Sequence, residues 1–201
     1  MWMNRRLLYK VRNFVKDRNS AHGLDHLLRV RYYALTISAK EGGDKKLIEA
    51  MALLHDLVRY EDYREDRSVE DTLLAARKLL EELPSFSKRD IDRILGGIKS
   101  HSTHSRIKAK PLSIEAKILF DADKVDSVGP IGIARWFTAM AHKNMPIMES
   151  AKIYLRTIDE QNEKLGGRLY TRTGTSMLKK RLAYTKDFMK DIITNQSTTI
   201  T

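Results

Sequence analysis

The chain has 201 residues, 42% of them hydrophobic, and its 37 Lys and Arg against 26 Asp and Glu give a formal net charge of +11. That length suits one domain with a real core, and the absence of cysteine excludes a disulfide framework and a thiolate metal site, which points to a cytoplasmic address. No apolar run approaches the ~18 residues of a membrane span and no apolar signal segment opens the chain, while the positive charge favours anionic ligands, either nucleic acid or a small phosphorylated molecule.

The apolar pattern is helical almost throughout. Leu7, Leu8, Val11, Phe14 and Val15 form a stripe in a first helix, and Leu27, Val30, Ala34 and Ile37 share one side of a second that runs from about Leu24 to Lys40. Gly42 and Gly43 end it, and Asp44 can cap a third helix that carries His55-Asp56 near its C-terminus. Ser68 with Asp71 and Ser87 with Asp90 match the Ser-x-x-acid start signal for the fourth and fifth helices, with Pro84 between them. Residues 99–111 read as a polar loop containing His101 and His104. Ser113 opens a sixth helix through Asp126, which Gly129-Pro130 breaks. Further helices are expected over Ile133–His142, Pro146–Lys164 and Thr175–Ile193. Alternating strand patterns, hairpin turns and internal repeats are absent from the sequence. The expectation is an all-α, single-domain helical bundle over residues 1–195, with a polar C-terminal tail over 196–201.

Three stations along this chain carry chemistry. His26 opens the second helix and shares a face with Arg29 and Val30. His55-Asp56 ends an apolar run, and Asp123 and Asp126, three apart, project from one face of the sixth helix, with Asp121 close by in sequence. Taken singly, each is ordinary: a lone helical His is usually packed or solvated, and an Asp beside Lys117 and Lys124 is usually surface charge. Imidazole and carboxylate together are what a mid-series divalent metal accepts, and an apolar run does not bury such groups without partners.

The order His26, His55-Asp56, Asp123 resembles the HD-domain superfamily of metal-dependent phosphohydrolases. The surroundings carry the resemblance as well: Ala21-His22 through His26, Arg29 and Val30; Leu53-Leu54-His55-Asp56-Leu57; Asp121 through Asp126, followed by Gly129 to Arg135; and Thr173 through Phe188 with Arg181. It spans about residues 15 to 190 and is nearest the small stand-alone members, because the Gly-Tyr-Pro signature of the cyclic-dinucleotide branch and a separated pair of extra histidines are both missing.

The resemblance implies a metal site in the core between helices. His26, His55, Asp56 and Asp123 would hold one divalent ion, Mn²⁺, Fe²⁺, Co²⁺, Ni²⁺ or Zn²⁺ ahead of Mg²⁺, with no organic cofactor. It further implies hydrolysis of a phosphate ester or anhydride by a metal-activated water. The substrate would be a nucleotide or a related small phosphorylated metabolite, with His55 and Asp56 as the catalytic pair. Arg59, His101, Lys124, Arg135 and His22 are the candidates for binding substrate, and Asp25 and Asp126 for orienting the ligands. His142 lies outside every motif. Two rivals stand beside this reading: a nucleic-acid-binding helical protein, and a scaffold of the same fold that keeps a metal without turnover. Charge dispersed along the chain, with only short clusters at Lys108-Ala-Lys110 and Lys179-Lys180-Arg181, and 7% aromatics count against the first.

Overall fold

Side-chain caps set where several of the helices begin. In the computed structural model, which describes residues 4–16, 23–58, 65–101, 109–165, 167 and 169–197, the described residues contain nine α-helices and no strand. They are α1 (Arg5–Phe14), α2 (Leu24–Glu41), α3 (Lys45–Leu54), α4 (Glu65–Glu81), α5 (Lys88–Lys99), α6 (Ile114–Asp126), α7 (Gly129–Ala141), α8 (Ile147–Lys164) and α9 (Arg172–Ser197). Asp44 accepts the Lys46 and Leu47 N–H groups to start α3, Ser87 and Asp90 form a reciprocal capping box on α5, and Ser113 accepts from Ala116 N at the start of α6. Gly42 and Gly43 end α2 with φ of 84° and 88°, backbone that a residue with a Cβ adopts only under strain.

Four boundaries differ from expectation. α4 begins at Glu65, so Ser68 lies inside the helix instead of capping it. Gly129-Pro130 ends α6 but also opens α7, because a proline in the first helical turn lacks only an N–H that has no intrahelical partner there. α9 starts at Arg172 and runs to Ser197, into the segment expected to be a tail. α3 stops at Leu54, with His55 as its C-cap, so the His-Asp pair sits in the turn beyond the helix. His22, Arg59, His104, Lys108 and residues 198–201 lie outside the described residues.

Two apolar clusters share α6. The larger gathers Leu7 and Val11 of α1, Leu27, Val30, Ala34 and Ile37 of α2, nearly all of α3, and residues of α4 and α5. Every residue of α3 from Leu47 to Leu54 is buried, and all but Glu49 are apolar, as expected of a helix enclosed on all sides. The smaller cluster joins Val128, Ile133, Tyr154, Ile158, Leu178 and Met189 from α7, α8 and α9. α6 gives Ile118, Leu119 and Ala122 to the first and Phe120 and Val125 to the second. α2 packs on both α3 and α6, so the start of α2, the end of α3 and the middle of α6 meet. Among the described residues, no helix is long and apolar enough to cross a membrane.

Candidate metal centre

His26, in the first turn of α2, and His55, capping α3, are each 1% exposed. Their Nε2 atoms lie 3.2 Å apart. In each ring the other nitrogen is committed to an acceptor: His26 Nδ1 donates to Asp126 Oδ2 at 2.8 Å, and His55 Nδ1 donates to the Ala52 carbonyl at 2.9 Å. Because those partners accept only, both rings carry the Nδ1 proton and turn an Nε2 lone pair toward one another. Two lone pairs at that distance repel unless a proton or a metal ion lies between them.

The Asp123 carboxylate closes on the same point, and Asp56 approaches it from beside His26. Asp123 Oδ1 is 3.7 Å from His26 Nε2 and 3.8 Å from His55 Nε2, and Asp56 Oδ2 is 3.8 Å from His26 Nε2. Donors about 2.1 Å from a shared ion stand roughly 3.0 to 4.2 Å apart for right-angled to opposed positions, so the observed separations of 3.2 to 3.8 Å fit one divalent cation. His26, His55 and Asp123 form a group whose ligand atoms all lie within 4.8 Å of one another, and His55, Asp56 and His101 form a second such group.

The electrostatics suit metal ligation. Burial, aided by Arg135, lowers the pKa of His26, and burial together with His55 takes His101 down to about 4, so both are neutral near pH 7. Burial works against charging His55 as well, but Asp123 and Asp56 outweigh it and raise its pKa. Burial is likewise overruled at Asp123, where Lys124 and the two imidazoles hold the carboxyl well below its usual range.

Asp126 is the hub behind the candidate ligands. It is fully buried, and besides His26 it accepts from Arg29 Nε at 2.8 Å, Arg29 Nη2 at 3.3 Å and Arg135 Nη1 at 2.6 Å. Burial opposes its charge, yet these donors hold its pKa down to about 2. Asp121, two residues before Asp123 and so on the opposite side of α6, grips the start of α9 instead. Its Oδ1 accepts from Tyr170 N at 2.9 Å, and its Oδ2 accepts from Thr171 N at 2.7 Å and Thr171 Oγ1 at 2.6 Å. Burial still pushes that carboxyl up to about 6.

The remaining candidates separate clearly. Lys124 Nζ sits 3.0 Å from Asp123 Oδ2 and 5.3 Å from the Phe120 ring centre, at the edge of the cluster. Arg135 reaches the cluster through Asp126. His101 follows α5, gives Nδ1–H to the Ile98 carbonyl at 2.6 Å and stacks edge-on against His55 with ring centres 5.1 Å apart. It is thus a fifth group beside the candidate ligands. Asp25 is exposed in the first turn of α2 and, among the described residues, makes no contact with the cluster. Arg29 was named in the sequence as sharing the face of His26 but was given no part in the site, although that spacing was the available signal.

Residues 23–128 match the family model described as HD domain. The Bacillus subtilis protein YpgQ, described as uncharacterized, is 36% identical over 132 residues, a match that spans 63% of this chain and 61% of that protein's length. The crystal structure of YpgQ in complex with ADP superposes with a TM-score of 0.66 at 27% identity, covering 96% of this chain and 97% of that one. A predicted HD superfamily hydrolase from an uncultured Thermotogales bacterium has a TM-score of 0.67 at 27% identity, over 96% and 92% of the two chains. An HD-superfamily hydrolase from Bacillus thuringiensis, at 24% identity over 96% and 95% of the chains, shares the fold with a TM-score of 0.71.

Proposed function

We propose, since the chain belongs to the HD-domain family of metal-dependent phosphohydrolases, that His26, His55, Asp56 and Asp123 hold a divalent ion at which a phosphate ester or anhydride of a nucleotide is hydrolysed. The observation that carries this reading is the pair of Nε2 lone pairs facing one another at 3.2 Å beside the Asp123 carboxylate, with Asp56 Oδ2 3.8 Å from His26 Nε2. When bound, the ion would polarise a phosphoryl oxygen and lower the pKa of water. The ADP complex of YpgQ supports a nucleotide as the ligand class.

The protein's own groups do the rest. Asp126 and the Ala52 carbonyl fix the ring orientation of His26 and His55. Asp56, 7% exposed at the mouth of the turn, accepts the proton of the attacking water. A bond forms from that water oxygen to phosphorus while the bond to the leaving oxygen breaks, and the proton passes on to the leaving group. Lys124 and Arg135, at 15% side-chain exposure each, supply positive charge to the phosphate. His101 lies close enough to the HD turn to touch either ion or substrate.

The test is direct. Purified protein is analysed for bound metal and screened for phosphate or pyrophosphate release from nucleotides with Mn²⁺, Co²⁺, Ni²⁺ and Mg²⁺, alongside His55→Ala and Asp56→Ala. The wild type should carry metal and release product, and both variants should lose most of each. Equal metal in all three would overturn the assignment, and metal without turnover on any ester or anhydride would leave a scaffold.

A further inference from the structure

The exposed face of α1 stands apart from the metal centre and has a composition of its own. Among residues 4–16 there are five basic side chains and no acidic one; the first acid of the chain is Asp17. Leu7, Val11 and Val15 are at most 2% exposed and pin the other side of the helix to the core. Arg5, Tyr9 and Arg12 follow the four- and three-residue steps of one helix face, Arg6 and Asn13 flank them, and Lys16 follows just beyond the helix end. All six are exposed, and Tyr9, at the centre, is 66% exposed. Lys10, on the flank, pairs with Glu82. Among the described residues no ion pair engages Arg5, Arg6, Arg12 or Lys16.

We propose that this face binds single-stranded nucleic acid, with Arg5, Arg6, Arg12 and Lys16 on phosphates and a base stacked on Tyr9. A helix of 10 residues is about 15 Å long, enough for a short run of nucleotides. Four cations around an exposed aromatic ring match the pairing of an electrostatic track with a stacking platform that unpaired strands require. A duplex would satisfy the cations but leave the ring without a base face. An anionic membrane is the weaker partner, because Leu7, Val11 and Val15 are packed inside and Phe14, 44% exposed, is the one aliphatic or phenyl side chain that α1 leaves largely exposed for insertion. The charge that reads as dispersed along the sequence is here gathered on one face by the helical period.

The experiment uses the full chain in EDTA, so that the metal centre plays no part and the two readings fail separately. Fluorescence anisotropy of labelled oligo(dT) and oligo(U) is followed against salt. Four phosphate contacts on a single strand predict a slope of log K against log salt of about −2.8, falling to about −1.4 in Arg5→Gln/Arg12→Gln. Tyr9→Ala should weaken binding about tenfold with the slope unchanged. Lys179→Gln/Lys180→Gln, in a basic cluster on α9, should change nothing. All these positions are exposed, and circular dichroism verifies the fold of each variant. The proposal is overturned if the α1 variants bind as wild type does, if the α9 variant abolishes binding, if duplex binds as tightly as single strand, or if phosphatidylserine vesicles bind and oligonucleotides do not.

Discussion

Asp126 receives hydrogen bonds from an imidazole and two guanidiniums, and no water-facing surface is left on it. Asparagine in its place would keep the shape but turn an amide N–H₂ toward donors and release the orientation of His26. Asp126→Asn should therefore weaken Mn²⁺ binding roughly 10- to 100-fold in a calorimetric titration, while Asp25→Ala should leave it unchanged. Elsewhere on α2 and α3, Arg31 and Glu49 form another buried pair, with Arg31 Nε to Glu49 Oε1 at 2.6 Å and Glu49 Oε2 accepting from Asn4 N at 3.3 Å. Glu49→Ala would strand the Arg31 guanidinium, which is only 8% exposed, and should cost about 3–5 kcal/mol in a urea melt. Asp126 was already legible in the sequence as a residue that orients the ligands, but Glu49 had no role there. Glu49 lies in a helix otherwise read as apolar, and its partner stands 18 positions away.

At the scale of elements, starts encoded by neighbours in sequence were legible. Asp44, Ser87 and Ser113 each bond an N–H two or three residues ahead, so the signal and its target travel together. Where the cap comes from elsewhere the sequence is silent. The first turn of α9 is held by Asp121, 50 positions back from Thr171, and by Glu41, whose Oε1 accepts from Thr173 N at 2.7 Å across 132 positions. The Thr173 side chain and then its backbone N–H lower the Glu41 carboxyl below its ordinary 4.5. A depressed folded value means the stabilisation is complete above the ordinary value and drains as pH falls below it. Thermal melts should accordingly show a steeper acid limb for the wild type than for Glu41→Gln. Gly129 makes the matching point at the α6–α7 corner, where φ is 81° and a Cβ would stand 2.9 Å from Arg181 Cζ. Gly129→Ala should lose about 1–2 kcal/mol from backbone strain alone, measured by the same melts.

For the molecule as a whole, the order of His26, His55-Asp56 and Asp123 was legible because each sits in a recognisable local motif. His101 was named for the site as well, but its edge-on contact with His55 was not legible, since it depends on how α5 packs against α3. An ion bound only by the native state should raise the melting temperature, by about 2.7 kcal/mol of stability at a hundredfold excess over its dissociation constant. Mn²⁺ should shift the wild-type melt upward, EDTA should reverse the shift, and His55→Ala should show none. α6 ties the two ends of this behaviour together: one side of it presents Asp123 and Asp126 to the imidazoles, and the other clamps α9 through Asp121, against which a Cβ on Gly174 would press at 2.6 Å. In a genetic screen for lost function, lesions at Thr171 or Gly174 would thus be scored beside ligand losses although they touch no ligand. Suppressors would tell them apart: compensating changes along α9 would restore the first kind, and nothing short of reversion would restore the second.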